Sequence, residues 1–136
     1  MNIVLDIDGV LADFNGHFAA RIGRTLMKMD SKISKQEWQV INGSDFWETV
    51  PLLAGGRYIA SLGPLAKNLW LLTSRPATAR ASTLRWLDSV GITLYNDTHL
   101  LMVHPSADKI KHLVRLAPCA FLDDYLPVVA TVAVTF

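Results

Sequence analysis

The sequence predicts a three-layer α/β domain built on a parallel sheet, and three features carry that expectation. Short apolar runs recur along the chain and end in polar residues, helical periodicity fills the stretches between the later runs, and turn residues stand where elements should stop. Strands that alternate with helices imply βαβ units, with helices packed on the sheet. A strand buried on both faces is apolar throughout rather than alternating, which is the pattern seen here.

Ile3-Val4-Leu5 is the first run and leads into Asp6-Ile7-Asp8-Gly9. Gly9 suits a tight turn at that point. The stretch that follows is too long for a simple crossover. It mixes Lys28, Asp30, Lys32, Lys35, Gln36 and Glu37 with Trp38, Phe46 and Trp47, and reads as a helical insertion after the first strand. The expected division is a core of residues 1–14 and 66–136 and a small helical cap of residues 15–65. Leu69-Trp70-Leu71-Leu72 is the second strand and runs into Thr73-Ser74-Arg75-Pro76. From Ala77 to Val90, apolar residues keep helical spacing, and Gly91 stands where a helix-ending glycine belongs. His99 to Val103 is the third strand. Asp108 to Leu116 repeats Ile110, Leu113, Val114 and Leu116 as a helix, with Pro118 as its stop. Ala120-Phe121-Leu122 is the fourth strand, ending in Asp123-Asp124, and residues 132–136 are expected to form a fifth.

Composition narrows the function classes. A chain of 136 residues and 15.0 kDa fits one domain. Its 51% apolar and 18% charged residues exclude intrinsic disorder, which needs low hydrophobicity and high net charge. Thirteen basic and twelve acidic side chains leave +1, so no broad surface for nucleic acid or anionic membrane is expected. A lone Cys119 excludes a disulfide framework and a four-cysteine zinc site. Its place ahead of an apolar run predicts a buried, inert thiol. No apolar run reaches the roughly 18 residues of a membrane span. The acid at position 6 comes too early for a signal peptide, so a soluble, cytoplasmic protein is expected.

In a parallel sheet the carboxyl ends of the strands share one edge, and ligands bind in the crevice beyond it. That edge would gather Asp6 and Asp8, Thr73 and Ser74, the segment around Lys109, and Asp123 and Asp124. The insertion leaves the same edge and can cover the crevice. Four carboxylates repel one another unless a cation sits among them, and hard oxygen ligands without His or Cys point to Mg²⁺. With a hydroxyl and a lysine added, the charge logic is that of a phosphate site. His17, His99, His104 and His112 show no metal-ligand spacing.

These residues resemble the haloacid dehalogenase (HAD) superfamily. Residues Asp6-Ile7-Asp8-Gly9-Val10-Leu11-Ala12-Asp13-Phe14 look like its first motif and Leu71-Leu72-Thr73 like its second. Lys109 resembles the third and Phe121-Leu122-Asp123-Asp124 the fourth. The run through Asp13-Phe14, with Phe46-Trp47-Glu48 and Leu72-Thr73-Ser74-Arg75-Pro76, is most similar to the 5′(3′)-deoxyribonucleotidase branch. The resemblance implies a Rossmann-like core and Mg²⁺-dependent hydrolysis of a phosphate monoester through an aspartyl-phosphate. The implied substrate is a small phosphorylated molecule, a nucleoside monophosphate in that branch. Asp6 would be the nucleophile, and Asp8 the general acid and then base. Thr73 and Lys109 would steady the phosphoryl oxygens. The metal would be held by the Asp6 side chain, the Asp8 main-chain carbonyl and Asp124, with Asp123 as an outer or alternate ligand. Phe14 with Trp47, or with Trp38 instead, would form a slot for a base. Ser74 and Arg75 would touch phosphate or substrate. The short cap departs from the larger members, which leaves base and nucleotide preference open.

Plainer roles stand beside these. Asp13 reads as a helix cap in preference to a ligand. Thr73 could cap the next helix, since Pro76 suits a first helical turn. Lys111 competes with Lys109 for the third motif, although it would face away on a helix. A phosphatase for a sugar phosphate and a non-catalytic phosphate-binding module are the rival readings. A signalling receiver domain would use similar residues, but there the acidic pair comes early and the hydroxyl and lysine follow the acceptor Asp.

Overall fold

In a computed structural model that describes residues 1–26, 32–124 and 128–129, the chain forms a parallel sheet of four strands in the order β3-β2-β1-β4. The strands are β1 (Ile3–Leu5), β2 (Leu69–Thr73), β3 (Leu100–Met102) and β4 (Ala120–Leu122). Leu5 stands level with Leu71 on one side and Leu122 on the other, and Thr73 is level with Met102. All four carboxyl ends therefore open on one edge, as an α/β sheet requires. The expected fifth strand at 132–136, and Lys28 and Asp30, lie outside the described residues.

Between β1 and β2 come α1 (Phe14–Ile22), α2 (Lys35–Asn42), a 3₁₀ turn (Phe46–Glu48) and α3 (Ala54–Ser61). Local chemistry sets their ends. The Asp13 side chain accepts from the Gly16 amide and caps α1, and Gly23 ends that helix in the left-handed region. Ser34 and Glu37 form a reciprocal capping box on α2, which satisfies two amides that a helix start leaves free. α4 (Arg80–Ser89) follows β2, and α5 (Lys109–Leu116) follows β3.

One apolar cluster joins sheet and insertion. Leu5, Ile7 and Leu71 from the sheet side pack with Phe18, Ile41, Phe46, Trp47 and Val50, and with Trp86 of α4. The Trp86 indole N–H donates to the Val50 carbonyl at 2.7 Å, so the contact is also pinned by a buried hydrogen bond. A second cluster, Val4, Leu72, Val103, Leu113 and Leu116, fills the other face beneath α5.

Three expectations change. His99 lies in a 3₁₀ turn before β3 rather than in the strand; its ring is buried and stacks on Trp70 at 3.8 Å. β4, like β3, is an edge strand among the described residues, and there Leu122 is exposed rather than buried. Cys119, just ahead of β4, is exposed too, where a buried thiol was expected. Its amide pairs with the Asn2 carbonyl, which fixes the backbone but covers nothing of the side chain. No helix among the described residues is long and apolar enough to cross a membrane.

Candidate active site

The site starts from the turn after β1. The amides of Val10, Leu11 and Ala12 all converge on the Ile7 carbonyl, which folds residues 7–12 into a tight loop. Gly9 sits in it at φ +86°, and a Cβ there would overlap the Asp124 carboxylate. The dihedral is what requires glycine here, and a side chain would in addition push the Asp124 carboxylate aside.

Asp6 is buried, and one of its oxygens is fixed by two donors. The Ile7 amide reaches Oδ1 at 2.8 Å and Lys109 Nζ at 3.1 Å. Lys109 Nζ also donates to Asp123 Oδ2 at 2.7 Å, with both side chains sealed from solvent. Helix periodicity chooses this lysine: the buried residues of α5 are Lys109, Leu113 and Leu116. Lys111 falls on the outer face and pairs loosely with Asp108 at 3.6 Å. Asp124 completes the group, and oxygens of Asp6, Asp123 and Asp124 lie within 4.8 Å of one another.

Charge is left over in this cluster. Three carboxylates face one ammonium, and Asp8 is matched separately by Arg75. Burial pushes the Asp6 carboxyl well above the ordinary range, Lys109 pulls it back, and Asp123 and Asp8 push it further up. Burial and then Asp123 push Asp124 up as well. An all-oxygen donor set with surplus negative charge fits a hard divalent cation. A group whose folded pKa is raised stabilises the fold at acid pH, and that contribution is lost as pH rises through the raised value. Asp124→Asn should therefore melt higher than the wild type in EDTA at neutral pH, and the gap should close as pH falls below the carboxylate range. Thermal scans across pH check this, and a gap independent of pH would count against a strained acidic cluster.

Asp8 points the other way. Arg75 grips its carboxylate with Nη2 to Oδ1 at 2.9 Å and Nε to Oδ2 at 3.0 Å. Arg75 lines the cleft, but its guanidinium is spent on Asp8 and on Thr83 Oγ1 rather than offered to a ligand. Thr73 is fully buried; its hydroxyl accepts from the Arg75 amide at 3.2 Å, and its side chain does not line the cleft. Ser74 does line it, and its hydroxyl pairs with that of Ser106 at 2.8 Å.

The cleft has a volume of about 360 Å³ and two unlike walls. Asp6, Asp8, Lys109 and Asp124 floor it; Phe14, Trp38 and Trp47 form an apolar wall from the insertion. Phe14 stacks on Trp47 with centroids 5.8 Å apart, and Trp47 on Trp38 at 6.4 Å. Trp47 itself is buried, and its indole N–H donates to Asn42 Oδ1. Ser74, His104 and Ser106 make the polar wall. The sequence reading missed His104 and Ser106. Their one signal was position, a few residues beyond the end of a strand, since neither spacing nor composition marks them. The His104 Nδ1–H donates to the Ser74 carbonyl at 3.2 Å and ties the ends of β2 and β3 together.

No protein-family model matches the chain, and no curated protein matches it by sequence. Among solved structures, the class C acid phosphatase from Bacillus anthracis aligns with a TM-score of 0.54 at 21% identity, covering 88% of this chain and 48% of that one. The same enzyme with tungstate bound gives 0.53 at 21% identity, over 88% and 49%. This chain thus spans about half the length of those neighbours, and what it shares with the class C acid phosphatase is the parallel α/β fold.

Proposed function

We propose that the chain is a HAD-type phosphate monoester hydrolase that works through an aspartyl-phosphate, in the reducing cytoplasm. The observation that carries this reading is the cluster of Asp6, Asp123 and Asp124 at the carboxyl ends of parallel strands, with Lys109 of α5 joined to it and with Asp6, Lys109 and Asp124 lining one cleft. The fold shared with an acid phosphatase supports it.

Asp6 attacks phosphorus as its bond to the leaving oxygen breaks, and Asp8 gives that oxygen a proton. Asp8 then takes a proton from water, whose oxygen attacks the phosphoryl group and frees Asp6. Lys109 holds Asp6 in one orientation and faces the charge that builds on the phosphoryl oxygens. Of the two hydroxyls at the β2 end, that of Ser74 lines the cleft, so it takes the place of Thr73 as donor to those oxygens; Thr73 holds the β2 end from behind. Asp6, Asp124 and the Asp8 carbonyl would bind Mg²⁺, with Asp123 shared with Lys109. Bound there, Mg²⁺ would supply positive charge that keeps Asp6 ionised and offsets its repulsion of a phosphate dianion. Hydrolysis of a panel of phosphate esters with Mg²⁺ and with EDTA tests this reading. Release of phosphate that is equal in both would overturn the metal assignment, and no release from any ester would overturn the hydrolase.

The substrate reading is a nucleoside monophosphate, supported by the aromatic wall beside the acids. Base stacking on an aromatic ring contributes about 1–3 kcal/mol. Phe14→Ala should lower kcat/KM for a nucleotide by roughly 5- to 150-fold at tenfold per 1.4 kcal/mol. Activity on p-nitrophenyl phosphate should change far less. Equal losses on both substrates would show that Phe14 only packs against Phe18, Phe46 and Trp47.

A further inference from the structure

Arg75 borders the cleft, but its guanidinium is engaged by protein groups rather than offered to a ligand. Its side chain is fully buried, whereas Asp8 keeps 22% of its own exposed toward the cleft. Both Asp8 oxygens are engaged by the guanidinium fork, and the remaining terminal nitrogen donates to Thr83 Oγ1 at 3.2 Å. The guanidinium carbon lies 4.6 Å from the Trp47 ring centre and 5.2 Å from that of Trp86. A planar fork matches a carboxylate edge to edge, and two rings stop it from turning. The tethers come from α4 (Thr83, Trp86) and from the insertion (Trp47), so with the β2 end that carries Arg75 three parts of the chain fix one carboxylate.

We infer that Arg75 is a positioning residue for Asp8, one that returns the same carboxylate oxygens to the same place between the two half-reactions. The inference rests on the hydrolase reading above. In the first half-reaction the Asp8 carboxylic acid passes its proton to the leaving alkoxide oxygen as the P–O bond breaks. The carboxylate left behind is the form that the fork holds. In the second, that carboxylate takes a proton from water while the water oxygen bonds to phosphorus and the bond to Asp6 breaks, releasing phosphate. A carboxylate on an unrestrained side chain would have to find its place twice per turnover. Arg75 touches neither substrate nor metal in this scheme and acts only through Asp8.

The test compares an alkyl phosphate, glycerol phosphate, with p-nitrophenyl phosphate on the full chain with Mg²⁺. An alkoxide needs the proton from Asp8, whereas nitrophenolate leaves largely without it. Arg75→Lys keeps the charge and loses the fork. It should lower kcat for the alkyl ester by roughly 10- to 100-fold, the cost of a small misplacement, with KM changed less than about threefold. On p-nitrophenyl phosphate the pre-steady-state burst of nitrophenolate, which reports the first half-reaction alone, should slow by less than about threefold, because proton donation contributes little there. Steady-state turnover, which includes the water step, should fall further. In an Asp8→Asn background the same substitution should add almost nothing, since residues acting as a unit are not additive. Thr83→Val, which keeps side-chain shape and removes one tether, should show the same selectivity more weakly. A burst on p-nitrophenyl phosphate slowed as much as alkyl-ester turnover, or a full added loss in the Asp8→Asn background, would overturn the inference and leave the hydrolase reading intact. A wild-type chain inactive on both esters would overturn the two together.

Discussion

Asp6→Asn should abolish turnover and leave the fold intact. The amide has the shape of the carboxylate and can still receive the Ile7 amide and Lys109, which fix the side chain at 2.8 and 3.1 Å. It cannot form the acyl-phosphate bond, because an amide oxygen is a poor nucleophile and carries no charge for a metal. Loss of a covalent nucleophile typically costs on the order of 10⁴-fold or more. The substitution also removes one of three crowded acids, so the melting temperature in EDTA should hold or rise at neutral pH. Steady-state hydrolysis and a thermal scan together decide it. Retained activity would mean that Asp6 is not the nucleophile, and a collapsed fold would mean that its charge serves mainly to hold Lys109.

The parts of this site that could be read from the residues are those set by one strand or one helix. A continuous apolar run ending in polar residues marks a strand and what stands at its end, which is why β1, β2 and β4 and their polar ends were legible, although the burial of β4 was not. The choice between Lys109 and Lys111 stayed open in the sequence, where helical spacing says only that the two face apart; the structure buries Lys109 on the inner face of α5 and leaves Lys111 outside. What escaped depends on pairs distant in sequence. The Asp8–Arg75 fork joins residues 67 apart, and nothing in either motif says that the arginine turns inward to the acid rather than outward to a ligand. Thr73 escaped in a similar way: the end of a strand was clear, but not that Ser74, one residue on, is the hydroxyl facing the cleft. Cys119 shows the limit of composition, because an apolar run says nothing of what packs over the residue just ahead of it, and the thiol there is exposed.

Lys109→Met should damage both stability and catalysis, and the two losses should respond differently to conditions. The ammonium is 2% exposed and is shared by Asp6 at 3.1 Å and Asp123 at 2.7 Å. Methionine fills similar space but leaves both acids facing Asp124 without a compensating cation. Removing one partner of a buried ion pair typically costs about 3–5 kcal/mol. That cost should be greatest at neutral pH in EDTA. It should shrink in acid, because Lys109 is what opposes the upward push on Asp6, and without it the carboxyl takes up a proton sooner. A divalent cation at neutral pH should recover part of the lost stability by binding only the folded acids. Catalysis should not recover with it. The charge facing the phosphoryl oxygens is gone, and one such preorganised donor accounts for roughly 10²- to 10³-fold in kcat. Thermal scans at two pH values, with and without Mg²⁺, separate these effects from the rate measured on p-nitrophenyl phosphate. A variant as stable as the wild type in EDTA at neutral pH would show that the three acids share protons rather than repel. Full turnover in the Mg²⁺-loaded variant would show that Lys109 serves the fold alone.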